Sequence, residues 1–223
     1  MADRASDPLP IRRPAVLAVE GDDEYYLVAY VSSELGLRER LHLHSLHGRD
    51  GLPGKLEALV TSEATALLRA RSFGVLIDAE TNEPPSVEES VRGAIGKALA
   101  SLPEFPHHEL RIGHAQCEAW PERNLRVGMF VAPDGHRRGM LEDLCIDTVA
   151  DPKAMECVEA FVECLQSLGV HRADWAKRRL YAYIAAQDSP HFRISQAARA
   201  GYWHLDDPCW QPLKDFLKEL AGG

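Results

Sequence analysis

The stretch AVLAVEGDDE, residues 15–24, decides how the rest of the chain is read. Its apolar run reads as a strand buried on both faces, as in the middle of a parallel sheet. Gly21 lets the backbone turn sharply, and Asp22 or Asp23 can cap the helix that follows. A carboxylate at the carboxyl end of a buried strand, just before a helix, sits where open α/β sheets bind ligands. Glu20 is therefore the first candidate functional residue.

A second stretch, FGVLIDAE at residues 73–80, is another apolar run ending in acids. Asp78 and Glu80 are two apart, so strand geometry maintained through both would project them to one side. If the two strands share a parallel sheet, Glu20, Asp78 and Glu80 converge at one edge, with carboxylates within roughly 8 Å of one another. Neither motif carries a lysine or arginine, and a divalent cation would relieve the repulsion among these acids. Downstream, VAPDGHRRG (131–139) places a turn after an apolar strand, again at the ligand-binding edge. Asp134 can add a carboxylate there, Arg137 and Arg138 can meet phosphate, and Glu142 follows at a helix start.

These motifs resemble the toprim domain, the metal-binding α/β module of topoisomerases, bacterial primases and overcoming-lysogenization-defect nucleases. That family has a strand ending in Glu-Gly and a later strand ending in Asp-x-Asp. Here the matching residues are Glu20-Gly21 and Asp78-Ala79-Glu80, with Glu in place of the last Asp. Nucleases of the lysogenization-defect type use a further glutamate downstream, which Glu142 matches. The segments VAPDGHRRGMLED (131–143), KRRLYAYIAAQDSP (177–190) and GYWHLDDP (201–208) are similar to a small stand-alone toprim-like family of unassigned function. The resemblance implies Mg²⁺ or Mn²⁺ held by Glu20, Asp78, Glu80 and Glu142, and the position of Asp134 in its turn adds it as a further candidate metal ligand. It implies catalysis by Glu20, Asp78, Glu80 and Glu142, and it suggests a separate ATPase partner.

The fold class expected is α/β: a doubly wound, mostly parallel, toprim-like (Rossmann-like) sheet with a helical C-terminal part. Residues 1–13 read as a mobile N-terminus, 14–150 as the toprim-like core, and 151–223 as a helical extension packed on it. Strands are expected at 15–19, 41–46, 73–78, near 109–116 and at 125–132. Helices are expected at 22–35, 55–71, 86–102, 139–149, from 152, and at 172–187, 193–200 and 208–220. Ser86 with Glu89 has the spacing of a capping box. His42 and His44 share one face of a strand, without the third ligand a zinc site needs. His107 and His108 form a loop pair beside Pro106. Lys177, Arg178 and Arg179 read as a solvated helix face, and Tyr202, Trp203 and Trp210 as anchors docking helices onto a core.

The 223 residues suit one compact domain with an appendage, or two small domains sharing a core. No apolar run approaches the roughly 18 residues that span a bilayer, and the first residues lack the apolar segment of a signal peptide. A cytoplasmic protein without a membrane partner is expected. Five cysteines with no Cys-x-x-Cys spacing read as reduced, buried apolar residues, Cys157 and Cys164 among them. There is no P-loop, no G-x-S-x-G elbow and no cysteine-histidine motif. The net charge of −9 argues against tight autonomous binding to nucleic acid. Two functions fit: divalent-metal-dependent phosphodiester chemistry on nucleic acid, or a non-catalytic module that binds metal, nucleotide or a partner protein such as an ATPase.

Overall fold

The computed structural model describes residues 13–63, 67–105, 108–120, 123–172, 174–190 and 193–222. Residues 1–12 of the expected mobile N-terminus (1–13) and His107 lie outside these residues. In chain order the elements are β1 (Ala15–Val19), α1 (Asp22–Glu34), β2 (Leu41–Ser45), α2 (Leu52–Ser62), β3 (Ser72–Asp78), α3 (Pro84–Ala100), β4 (Gln116–Trp120) and β5 (Leu125–Ala132). They continue with α4 (Leu141–Asp147), α5 (Pro152–Ser167), α6 (Trp175–Ala185), α7 (Ile194–Arg199), a 3-10 turn (Pro208–Trp210) and α8 (Gln211–Leu220).

The strands form one sheet in the order β2-β1-β3-β5-β4. The first four run parallel and β4 is antiparallel at the edge. After β1 the chain moves outward to β2, then returns to place β3 on β1's other side. The β1/β3 boundary is thus the point where the strand order reverses, and loops leaving the carboxyl ends there diverge and open a crevice. All residues of β1 and β3 are buried, as an apolar strand in mid-sheet requires.

Alternate residues of the strands feed two cores. Val16, Ala18, Phe73 and Val75 face α2 and α3, packing with Leu56, Val60, Val91 and Ile95. Leu17, Val19, Leu76 and Phe130 face the opposite layer, where Leu27 and Val31 of α1 meet Leu141, Leu180, Ala197 and Leu217 from the later helices. The C-terminal helices therefore form a layer of the sandwich. The seat for α8 is a flat patch made by Gly74 paired with Gly128. A Cβ at Gly74 would lie 2.6 Å from Leu220 Cδ2, and one at Gly128 would lie 2.9 Å from Phe216 Cε2.

Several elements differ from expectation. The α2 helix spans Leu52–Ser62, and α3 starts at Pro84 after Glu83 without the Ser86 capping box. Pro84 and Pro85 occupy first-turn positions, where the preset φ helps and no amide hydrogen is needed. Residues 109–113 are not a strand; Leu110 and Ile112 are buried by packing without ladder pairing, and β4 begins at Gln116. Cys157 and Cys164 are exposed, because α5 buries only Met155, Val158 and Val162. Trp203 and Trp210 are buried in the core as anchors. Among the described residues, no helix is long and apolar enough to cross a membrane.

Candidate metal centre

The β1/β3 boundary delivers acids from three elements to one place. Asp78 is the last residue of β3, Glu24 lies in the first turn of α1, and Glu142 lies in the first turn of α4. One carboxylate oxygen from each falls within 4.8 Å of the others, and all three residues are buried. Oxygens on opposite sides of an octahedral Mg²⁺ are about 4.2 Å apart, so small rotamer adjustments would bring these ligands into range.

The hydrogen bonding is uneven. Asp78 Oδ1 accepts from the Leu141 amide at 2.9 Å. Neither oxygen of Glu142 has a hydrogen-bond donor, although Lys177 Nζ stands 3.7 Å from its Oε1. A buried carboxylate with no donor is costly unless a cation neutralises it. Burial pushes Glu142 up to about 7, with the Glu24 charge adding to the shift and Lys177 opposing it. Burial likewise raises Asp78, with Glu142, Glu24 and Glu20 contributing. Glu24 is raised chiefly by burial, against the pull of its own amide and Lys177. Hard, closely spaced oxygens that resist ionisation together fit Mg²⁺ or Mn²⁺ better than a softer ion.

Glu20 stands beside the cluster. Its Oε2 accepts from the Asp78 amide at 3.2 Å, tying the ends of β1 and β3 together. Burial, partly offset by that amide, pushes Glu20 up to about 7, so it can hold or release a proton near neutrality. Gly21 leaves room for Glu24: a Cβ there would lie 2.6 Å from Glu24 Oε2, and that carboxylate would have to shift. The loop 48–54 sends Arg49 to the same edge, where it donates to the Asp78 carbonyl at 3.1 Å.

Glu80 is exposed and is not part of the group formed by Glu24, Asp78 and Glu142. The period-two argument fails because β3 ends at Asp78 and Glu80 takes a φ of 53°. Its backbone is held by Gly139, with Glu80 N donating to Gly139 O at 2.6 Å. Asp134 also stands outside the group: its carboxylate accepts from the amides of His136 and Arg137 and from Arg137 Nε. Partial burial pushes Asp134 up, but these donors outweigh it and hold the carboxyl below its usual value. Arg137 also pairs with Asp147, and Arg138 pairs with Glu83, so both arginines are engaged by acids.

Two residues of the centre escaped the sequence reading. Glu24 lies on the buried stripe of α1 with Leu27, Val28 and Val31. An acid at that helical spacing was the available signal. Lys177, read as part of a solvated face, turns inward and places Nζ 2.6 Å from Asp23 Oδ2. Arg178 and Arg179 instead pair with Asp174 and Glu159. Burial pushes Lys177 down, but Asp23, Glu142 and Glu24 reverse that and raise it. His42, partly buried on β2, is lowered to about 4 by burial and belongs to no three-ligand group among the described residues. A groove of about 450 Å³ lined by Tyr30, Arg199 and Trp203 contains none of the clustered acids.

No curated protein matches the chain. Among solved structures, it is similar to the C-terminal region of the Xanthomonas campestris pv. campestris OLD protein. In the form phased with iodine the identity is 13%, covering 94% of this chain and 96% of that one, with a TM-score of 0.47. The form phased with platinum gives 14%, 94% of each chain and a TM-score of 0.46. A family model described as "Protein of unknown function (DUF3226)" matches residues 14–222, and the chain belongs to that family.

Proposed function

We propose that this protein performs divalent-metal-dependent phosphodiester chemistry on nucleic acid in the cytoplasm. The observation that carries the reading is Glu142: a buried carboxylate whose oxygens lack hydrogen-bond donors, within 4.8 Å of ligand oxygens from Asp78 and Glu24. The resemblance of Glu20-Gly21 and Asp78-Ala79-Glu80 to toprim motifs supports it from the sequence side.

Asp78, Glu24 and Glu142 would hold Mg²⁺ or Mn²⁺. Such an ion, when bound, neutralises charge on a phosphate and makes its bound water more acidic. Glu20 fixes the Asp78 backbone and provides a carboxyl able to hold a proton close to the site. Arg49 supplies positive charge at the same edge, opposing ionic repulsion at Glu20. Glu80 and Asp134 fit supporting roles outside the ligand set.

A second reading, a non-catalytic module binding metal, nucleotide or a protein partner, is favoured by the burial of all three clustered acids. The net charge of −9 makes weak, salt-sensitive binding to nucleic acid the expectation for the isolated chain, and an ATPase partner would help load it. Incubation of the chain with DNA and RNA, with and without Mg²⁺ or Mn²⁺, tests the proposal. Metal-dependent cleavage lost in Asp78→Asn, with the fold intact, is expected. Cleavage that survives excess EDTA, or Asp78→Asn together with Glu142→Gln, would overturn it.

A further inference from the structure

Lys177 occupies the first turn of α6, where the helix dipole disfavours a cation. A residue that breaks a local rule in this way is held there by tertiary contacts. Its Nζ lies 2.6 Å from Asp23 Oδ2 and 3.7 Å from Glu142 Oε1. One turn further on, Tyr181 donates its hydroxyl to Asp23 Oδ1 at 3.0 Å. The Lys177 side chain is 36% exposed and the Glu142 side chain 1%, so the ammonium joins the solvent side to a buried acid.

We propose that Lys177 is the resident counter-ion of the acidic centre and competes with a divalent cation for Glu142. The inference rests on reading the acids as a metal site and adds how occupancy of that site is controlled. An ammonium and a divalent ion at one carboxylate repel strongly at such range. Asp23, fixed by Tyr181, offers the ammonium a second acid, so it can release Glu142 without entering solvent unpaired. Metal entry therefore weakens the hold of α6 on α4, and by reciprocity anything that pulls Lys177 away strengthens metal binding. In the metal-free protein the same ion pair offsets part of the cost of burying Glu142.

The test uses the full chain, titrated with Mn²⁺ and followed by calorimetry and thermal unfolding. Lys177→Met is expected to bind Mn²⁺ about tenfold more tightly than the native chain, and Lys177→Arg about as tightly as it. Without metal, Lys177→Met should melt lower, and that loss should shrink but not vanish in the Glu142→Gln background, because the ion pair with Asp23 is lost in both. Lys177→Gln, which retains a polar contact to Asp23, serves if the methionine variant does not fold. Unchanged or weaker Mn²⁺ binding on removal of the lysine charge would overturn the inference. Mn²⁺ binding by Lys177→Met but not by the native chain would support this competition and end the proposed metal-dependent function of the native protein. Silence in both would overturn both.

Discussion

Asp134 lies in the short connection between β5 and α4 and Glu142 in the first turn of α4, yet they are opposites in chemistry. Asp134 is saturated: two amides and a guanidinium donate to it at 2.9 to 3.0 Å. Glu142 is 1% exposed and has no donor on either oxygen. Both are acids near the carboxyl edge of a parallel sheet, so position alone does not separate a turn-building acid from a ligand. What separates them is the bonding left unmade. A donor-saturated carboxylate already has its counter-charges, whereas a buried one without donors has capacity for a cation.

The largest expected contrast is in the response to metal. Mg²⁺ at about 100 times its dissociation constant should stabilise the native chain by about 2.7 kcal/mol. Glu142→Gln and Asp78→Asn should abolish most of that gain. Both should also raise stability without metal, by about 1–3 kcal/mol, because each removes a charge from a buried cluster whose three acids are only partly offset by Lys177. Asp134→Asn should retain the full metal response and lose about 1 kcal/mol of stability from its turn. Chemical denaturation with and without Mg²⁺ measures all three. The comparison breaks if Asp134→Asn is silent to metal while Glu142→Gln still responds.

Next in size is the dependence on pH, which carries opposite signs for the two acids. Glu142 and Glu20 are each raised from the ordinary 4.5 to about 7. Between those values the folded state binds more protons than the unfolded chain. Stability without metal should therefore fall as pH rises from 4.5 to 7, by at most about 1.4 kcal/mol per unit for each group. Asp134 is lowered, so its contribution is present above the unfolded value of 3.8 and is lost as pH falls through its folded value. Mg²⁺ binds the ionised acids and should flatten the decline toward neutrality. Denaturation series at pH 5, 6 and 7, with Mg²⁺ and with EDTA, would show it. A metal-free stability that climbs steadily across this range would contradict the raised carboxyls.

The frame of the molecule was legible because β1 and β3 are short apolar runs ending in acid, and a strand buried on both faces reads directly from such a run. Glu20 and Asp78 came with them as strand-end residues. The same-side argument for Glu80 does not hold, because alternation lasts only while the chain stays extended, and it leaves that geometry after Asp78. Glu24 was visible in principle as an acid on the α1 stripe, but the Glu-Gly motif drew the reading to Glu20. Lys177 was not legible. Its partners lie in α1 and α4, and a basic run on a helix looks the same whether one lysine turns inward or all face water. Packing of the C-terminal helices against the sheet decides that, and no short-range pattern encodes it.

The smallest expected effect falls on Glu80 and sharpens the contrast most narrowly. It is exposed, its backbone is held in the left-handed region at a φ of 53°, and its amide and carbonyl both bond to Gly139. Glycine adopts that conformation without the steric cost a side chain incurs, so Glu80→Gly should raise stability by up to about 1 kcal/mol. Its charge acts on Glu20 from outside the ligand group, so Glu80→Gln should lower the carboxyl of Glu20 slightly. The same change should weaken Mg²⁺ binding by less than about tenfold, an exposed charge being screened by solvent and salt. Parallel titrations of Glu80→Gln and Glu142→Gln decide the matter. Equal losses would make Glu80 a ligand and extend the centre to the rim of the sheet. A small loss beside a large one leaves the cation among Glu24, Asp78 and Glu142.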